Sequence, residues 1–302
     1  MGAKIKHFIQ VPFTGLGLYG GYRGDDWLKN RIRLFKEYVI PSLMNQSNRN
    51  FVLWVCWRPE EKDNPIVRDF ADYLNHFSDL DFIFTYQGIM FWDDKYPEQE
   101  AYNRLNNTFE KTLPLLKQFV DGTDWVLVTL QPSDDCYLYN TIQRLQEEDL
   151  KQQAIGFKRG YIMDVFKKEL SEYNPDTTPP FYTVYFPTDI FLDPKEHMKY
   201  IGRCKSHEYV KNFLPYKLYE DRGFIVNCHT ENISTGYNIP YKGRKLTKEE
   251  TGDVLRLAGV SESKPLKLTR HWKRYYFKLP HWLRRKMRYY FGEKFYAKIV
   301  KG

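Results

Sequence analysis

Two adjacent carboxylates, Asp134 and Asp135, stand directly behind an apolar run in the stretch "WVLVTLQPSDDCYLYNTIQRL". The run from Trp125 to Leu130 can bury itself, whereas two neighbouring carboxylates repel each other and need solvent or a cation. On an extended chain their side chains point to opposite sides, so joint use requires a turn. Pro132 and Ser133 supply the residue types for one. With the chain turned, one carboxylate can ligate a divalent metal while the other accepts hydrogen bonds from a sugar hydroxyl or a metal-bound water. A hard cation held by one or two protein carboxylates completes its shell with water and substrate phosphates. The group such a site would take is a nucleotide diphosphate, with Mn²⁺ or Mg²⁺ as the cofactor. The alternative without chemistry is an Asx-rich turn capping a helix that begins near Tyr137.

Further polar candidates are Asp189 in "FPTDIF", His207 and Glu208 in "SHEYV", and His229 at the end of "FIVNC". Each has a plainer reading: a turn for Asp189, an acid complementing a helix start for Glu208, and a hydrogen-bonded structural imidazole for His229. Arg23 and Arg104 are surface or ion-pair residues unless a phosphate is bound. The glycines between 15 and 24 lack the Gly-Lys-Ser/Thr ending of a phosphate-binding loop, which argues against a kinase or ATPase.

The elements that must position these residues alternate. "KHFIQV" reads as a strand followed by a glycine-rich loop. A helix comes next, with Asp25 or Asp26 as its cap, Trp27, Leu28, Ile32, Phe35, Val39 and Leu43 at near-helical spacing, and an interruption at Pro41. "FVLWVCW" at 51–57 is a strand buried on both faces. A helix around 66–74, a strand at 81–86 and a helix over 102–120 bent near Pro114 lead to the strand before the carboxylates, with "YNTIQRLQEE" as the helix after it. This rhythm predicts an α/β fold with a mostly parallel central sheet flanked by helices. Ligands of such sheets bind beyond the carboxyl ends of the strands, which is where Asp134 and Asp135 fall. After residue 150 the rhythm loosens. "AIGF", "GYIMDVF" and "YTVYFP" read as short strands, "SHEYVKNFL" as a helix and "RGFIVNCH" as a late strand, and the proline-rich loop 173–181 could border an acceptor pocket.

In this order the chain resembles the GT-A glycosyltransferases, and more closely the bacterial rhamnosyltransferase-like group. The matching pieces are "HFIQVPFT", "DDWLKNRIRLFKEYVIPSLMNQSNRNFVLWV", "WVLVTLQPSDD", "TVYFPTDIF", "SHEYV" and "FIVNCHTENIST", spread over roughly residues 5–240. The resemblance implies a nucleotide-diphospho-sugar transferase fold with a catalytic domain over 1–245. Its nucleotide-sugar half would be about 1–150 and its acceptor half about 151–245, with a C-terminal helical extension over 246–302. It implies Asp135 as principal metal ligand, Asp134 at the ribose or a metal-bound water, and His229 as a further ligand or diphosphate contact. Glu208 would be the base that takes the acceptor proton in an inverting transfer, with His207 and Asp189 competing for that role. Pro12, Phe13 and Thr14 would lie near the nucleobase and Arg104 near the diphosphate. One departure stands out: Pro132 occupies the place of an earlier aspartate in the family's run into the pair, so one acidic contact is missing. The implied activity is transfer of a sugar, with rhamnose as the family's suggestion, from a nucleotide diphosphate donor to a glycan or lipid-linked acceptor. A binding module without catalysis and a sugar nucleotidyltransferase are the other readings.

Charge divides the chain. The 302 residues carry a net charge of +8. The segment from Lys264 to Gly302 holds thirteen Lys or Arg against one acid, +12, and the remainder 33 against 37, −4. Within that tail, Trp272, Trp282, Arg284, Arg285, Lys286 and Arg288 alternate rings with cations. A helix after Pro280 would place Leu283, Met287, Tyr290 and Phe291 on one side. Such a helix suits the surface of an anionic membrane, where each cation adds ~1 kcal/mol. A tail packed on the domain comes second, and nucleic acid is an unlikely partner, third of the three. Cys56, Cys136, Cys204 and Cys228 form no CxxC pair, so packed thiols are expected rather than a zinc ribbon or disulfides. No stretch approaches the ~20 apolar residues of a membrane span. The expectation is a cytoplasmic protein, peripheral at the inner face of the membrane.

Overall fold

The structure is a computed structural model that describes residues 2–15, 24–88, 98–175, 181–201, 207–229, 232, 236–239, 241–263, 279–280, 282–283, 286–287 and 290, with the side chains of 98–102, 198–201 and 207–209 outside that description. The described strands are β1 (Ile5–Pro12), β2 (Val52–Cys56), β3 (Asp81–Thr85), β4 (Trp125–Leu130), β5 (Cys136–Tyr137), β6 (Ala154–Asp164), β7 (Glu169–Tyr173), β8 (Tyr182–Pro187), β9 (Tyr216–Cys228) and β10 (Lys242–Lys245). The described α-helices are α1 (Asp25–Leu34), α2 (Ile40–Met44), α3 (Pro65–Leu74), α4 (Glu98–Val120), α5 (Thr141–Gln146), α6 (Thr188–Leu192), α7 (Pro194–Ile201) and α8 (Lys248–Leu257).

The fold is α/β around one sheet, with the strand order β10-β7-β6-β8-β4-β1-β2-β3. The run β3-β2-β1-β4 is parallel, as the alternating pattern predicts. Beyond β4 the sheet is mixed: β8 joins β4 antiparallel, β6 joins β8 antiparallel, and β7 and β10 follow antiparallel. β9 runs parallel to β6 and carries the short β5 antiparallel beside its far end. "AIGF" and "GYIMDVF" are thus one long strand, β6, rather than two.

Strand β2 is buried along its whole length because helices cover both faces. Leu53 and Val55 join Ile9 and Val11 under Trp27, Leu28, Ile32 and Phe35 of the helix after β1. Val52, Trp54 and Cys56 face the other way, onto Leu105, Phe109 and Leu113 of α4. The period of two along a strand sorts these side chains. Helix α4 is continuous through Pro114.

The helix after β1 opens at Gly24 (φ 95°), which takes the cap position expected of an aspartate; Asp25 and Asp26 form the first turn instead, where their charge complements the helix N-terminus. The interruption expected at Pro41 takes the form of a π turn over Phe35–Val39, after which α2 resumes. Proline has no N–H to offer the preceding turn, and a wider turn accommodates the break.

Helix α8 is capped by a box in which the Thr247 hydroxyl accepts from the Glu250 amide and Glu250 accepts from that of Thr247. Val254, Leu255, Ala258 and Val260 of the expected C-terminal extension pack with Leu34, Tyr38, Cys136 and Leu170. Cys56, Cys136 and Cys228 are buried and form no disulfide; Cys204 lies outside the described residues.

Two loops at the carboxyl edge meet backbone to backbone. The amides of Phe13, Thr14 and Gly15 all approach the Cys56 carbonyl at 3.1–3.3 Å, and Gly88 donates to the Trp57 carbonyl at 2.9 Å. A Cβ at Gly88 would lie 2.3 Å from the Gly15 Cα, and one at Gly15 2.5 Å from the Trp57 oxygen. Both neighbours are backbone and cannot swing away. Gly88→Ala is expected to cost about 1–3 kcal/mol. Gly252→Ala, on α8 with nothing within 4 Å, should be neutral or stabilising by up to about 1 kcal/mol. Denaturant unfolding of the pair measures the contrast, and equal midpoints would refute the close packing.

Two core histidines set the acid limit of the fold. His7 contacts the Thr129 hydroxyl at 2.6 Å through Nε2, and burial pushes its pKa down to about 3. His197 lies against the rings of Phe109 and Phe186, and burial pushes its pKa down to about 4. Both are neutral in the fold and bind protons more readily unfolded, so their contribution is intact above an unfolded pKa of 6.5 and is lost as pH falls from there towards 4 and 3. The melting temperature is expected to fall steadily below pH 6.5, and His7→Gln should flatten that fall. An unchanged slope in the variant would contradict this.

Candidate functional site

The carboxylate pair sits beyond the carboxyl end of β4, in the turn that leads to β5. Helix α5 starts only at Thr141, so the pair is not its cap. The turn is held from inside: the Gln131 amide bonds to the Gln10 carbonyl of β1 at 2.8 Å, and Gln131 Nε2 donates to the carbonyls of Pro132 and Asp135, both at 2.8 Å. Tyr137 closes it by donating to the Leu130 carbonyl at 2.7 Å.

Strand β9 brings the second half of the site. Running parallel to β6, it delivers Asn227, Cys228 and His229 to the same edge. The Asn227 amide donates to Asp135 Oδ1 at 2.8 Å and its side chain to the Asp134 carbonyl at 2.6 Å. His229 Nε2 meets Asp134 Oδ2 at 2.7 Å. Asn232 steadies that corner, accepting from the His229 amide at 2.5 Å and donating to the Asn227 carbonyl at 2.8 Å. The expected meeting of Asp134, Asp135 and His229 therefore occurs.

The residue that sequence reasoning missed is Arg31. It is fully buried on α1, its guanidinium 5.4 Å from the Trp27 ring centre, and its Nη1 lies 2.5 Å from Asp134 Oδ2. The signal was available. Arg31 is four residues from both Trp27 and Phe35, and so lies on the apolar stripe of its helix rather than its wet face. A charge on that stripe needs a buried counter-charge.

The two carboxyls are electrostatically unlike. Burial works to raise the pKa of Asp134, but the Arg31 charge and the His229 contact outweigh it and hold this carboxyl well below the usual range. Burial, reinforced by the charge on Asp134, pushes Asp135 well above it.

A divalent ion at Asp135, Asp134 and His229 was the expectation. Among the described residues no three His, Cys, Asp or Glu side chains are grouped to hold a metal. The cause is local: Asp134 Oδ2 is taken by Arg31 and His229, and Asp135 Oδ1 by the Asn227 amide. A cation on that Asp134 oxygen would stand against the guanidinium. In this arrangement the residues present do not fit a divalent ion.

Other expected residues are placed elsewhere. Asp189 is exposed on α6, directly after β8. Because β8 is antiparallel to β4, Pro187 pairs with Trp125 and the Thr188 amide bonds to the Asp124 carbonyl, at the amino end of β4. The carboxylates lie beyond the other end, so Asp189 is no candidate base. Phe13 is fully buried against Trp57, Phe35 and Phe70, and Thr14 donates its hydroxyl to buried Glu61. These two hold the loop after β1 in the core and present nothing to a nucleobase. Pro12, half-buried, ends β1 opposite Cys56. Arg104 is half-buried on α4, the helix on the opposite sheet face from α1.

His207 and Glu208 open a 3-10 helix, His207–Asn212, that leads into β9; their side chains lie outside the described residues. So do Trp272, Arg284, Arg285 and Arg288 of the tail, and Arg23. Trp282 is exposed, with the Lys286 ammonium 5.7 Å from its ring centre. Among the described residues no helix is long and apolar enough to cross a membrane.

Comparison with curated proteins gives no match. Among solved structures, the chain is similar to a putative nucleotide-diphospho-sugar transferase from Desulfovibrio desulfuricans G20, at 16% identity over 74% of this chain and 80% of that one, with a TM-score of 0.31. The model of the family described as "Putative rhamnosyl transferase" matches residues 22–68, from the approach to α1 into α3. Arg31 lies within the matched segment.

Proposed function

We propose that the protein is a glycosyltransferase that moves a sugar, with rhamnose the first candidate, from a nucleotide diphosphate donor to a hydroxyl of a glycan or lipid-linked acceptor. The observation that carries this reading is the buried Asp134–Asp135 pair beyond the carboxyl end of the parallel strands, braced by Arg31 and His229. Open sheets of this kind bind ligands there. The match of residues 22–68 to a rhamnosyl transferase family supports the same reading.

In the proposed reaction the acceptor oxygen attacks the anomeric carbon as its bond to the diphosphate oxygen breaks. The bonding pair leaves with the diphosphate, and the hydroxyl proton passes to the carboxylate of Glu208. Attack from the face opposite the leaving group inverts the anomeric centre. A positive charge fixed beforehand beside the departing diphosphate stabilises the charge that develops on it. The basic aromatic tail would hold the enzyme at an anionic membrane surface, close to a lipid-linked acceptor.

The test is a thermal-shift panel of nucleoside diphosphates and nucleotide sugars on the intact protein, followed by product analysis with the sugar that binds. One nucleotide should raise the melting temperature by mass action, and turnover should release the nucleoside diphosphate. Release of pyrophosphate would instead mark a nucleotidyltransferase. A panel in which nothing shifts would overturn the donor site.

A further inference from the structure

We propose that Arg31 is the resident cation of the carboxylate site, standing where a divalent metal would stand, so that the site binds its nucleotide without metal. The part that concerns the nucleotide rests on the donor-site reading above; the part that concerns the cation does not.

A fully buried guanidinium has lost its water and is tolerated only where a counter-charge and hydrogen-bond acceptors replace it. Here the counter-charge is Asp134, at 2.5 Å. The same carboxylate oxygen also receives His229 at 2.7 Å. Trp27 lies beside the guanidinium on its own helix, its ring centre 5.4 Å away, a distance at which the ring face favours a cation. The charges of Arg31 and Asp134 cancel, and Asp135 Oδ1 is occupied by the Asn227 amide. A divalent ion arriving at Asp134 Oδ2 would have to displace both the guanidinium and the imidazole from that oxygen, among side chains that are themselves buried.

Arginine suits the substitution chemically. It stays protonated at any pH a folded protein meets, and its planar fork fits phosphate oxygens as well as carboxylates. A guanidinium held by Asp134 places its positive charge in the site without the shell of waters a small divalent ion carries. Arg31 is also delivered by a helix whose other contacts are core, so its position is set by packing rather than by the ligand. It acts as a positioning residue for the carboxylates and as the fixed charge of the site.

Two measurements on the full chain test this. Mn²⁺ uptake is followed by electron paramagnetic resonance without nucleotide, on the intact protein, on Asp134→Asn and on Arg31→Met. The intact protein is expected to take up no stoichiometric Mn²⁺, whereas Arg31→Met, with its carboxylates released, takes up one ion per chain. A stoichiometric site in the intact protein that Asp134→Asn abolishes would overturn the proposal. The second measurement is the melting-temperature rise given by UDP, TDP or GDP in EDTA and in excess Mn²⁺. The rise is expected to be the same in both; a rise seen only with Mn²⁺ overturns the proposal. If Arg31→Met does not fold, Arg31→Lys keeps the charge and should keep the EDTA-resistant rise in reduced size, with the lost part restored by Mn²⁺; an unchanged rise in a folded Arg31→Lys, indifferent to Mn²⁺, counts against the guanidinium as the fixed charge of the site. If no nucleotide shifts the intact protein, the donor-site reading fails and Mn²⁺ uptake alone decides the role of Arg31.

Discussion

Asp134→Asn is expected to destabilise the protein by about 3–5 kcal/mol, because it leaves the Arg31 guanidinium buried with its charge uncompensated. For a chain of this size that corresponds to a melting temperature roughly 5–10 °C lower. The variant should also lose the stabilisation that a nucleoside diphosphate gives the intact protein, since Arg31 and His229 both take their positions from Asp134. Asp189→Asn is the matched control: the same change in charge, on an exposed residue at the other edge of the sheet, should alter neither quantity by more than about 0.5 kcal/mol. Calorimetry on the two variants decides. Equal melting temperatures would mean that the Arg31–Asp134 pair contributes nothing to the fold and that the site is solvated.

Glu208→Gln has the opposite signature. As the proposed general base it should cost 10²- to 10⁴-fold in turnover, in rough proportion to the proton transfer it removes. Glu208 is the second residue of a 3-10 helix, and an acidic residue in a first helical turn contributes only about 0.3–1 kcal/mol. Nucleotide binding and melting temperature should therefore stay close to those of the intact protein. Turnover within a few-fold of the original would remove Glu208 from the mechanism. If sugar and nucleotide still bound and no transfer were measurable even in the intact protein, the chain would be a binding module.

The parts of the fold legible in the sequence were those fixed by local pattern. The apolar run Trp125–Leu130 announces a strand, and Pro132 and Ser133 a turn, so the position of the carboxylates beyond a strand end could be read directly. Strand direction could not. "YTVYFP" has the same composition whichever way it runs, and only its antiparallel pairing with β4 sends Asp189 to the wrong edge. Loop fate was equally hidden: Phe13 and Thr14 follow a strand as nucleobase contacts would, yet the close approach of the loops at Gly15 and Gly88 draws them into the core. His229 was placed by the order of motifs and not by its own surroundings, since nothing local says that β9 ends beside Asp134. Arg31 was legible but unread: its register with Trp27 and Phe35 marks it as buried, and a buried arginine implies an acid elsewhere in the chain.

The π turn at Phe35–Val39 has a consequence for how this segment can vary in length. Upstream of it, α1 aims Arg31 at Asp134; downstream, Asn45 caps the last carbonyls of α8 and Gln46 spans the Leu138 carbonyl and the Ile142 amide. The wide turn holds one residue more than an α-turn, and each residue of helix is worth 100° of rotation. Deleting any single residue between 35 and 39 would let the turn relax to regular α-helix. Because either kind of turn closes one full circle, that loss would leave both sets of anchors in phase, whereas a deletion in the regular helix on either side would rotate one set about 100° away from its partners. The helix between β1 and β2 is therefore a phased spacer with one slack residue, able to lose a residue at 35–39 and closed to deletion elsewhere along its length.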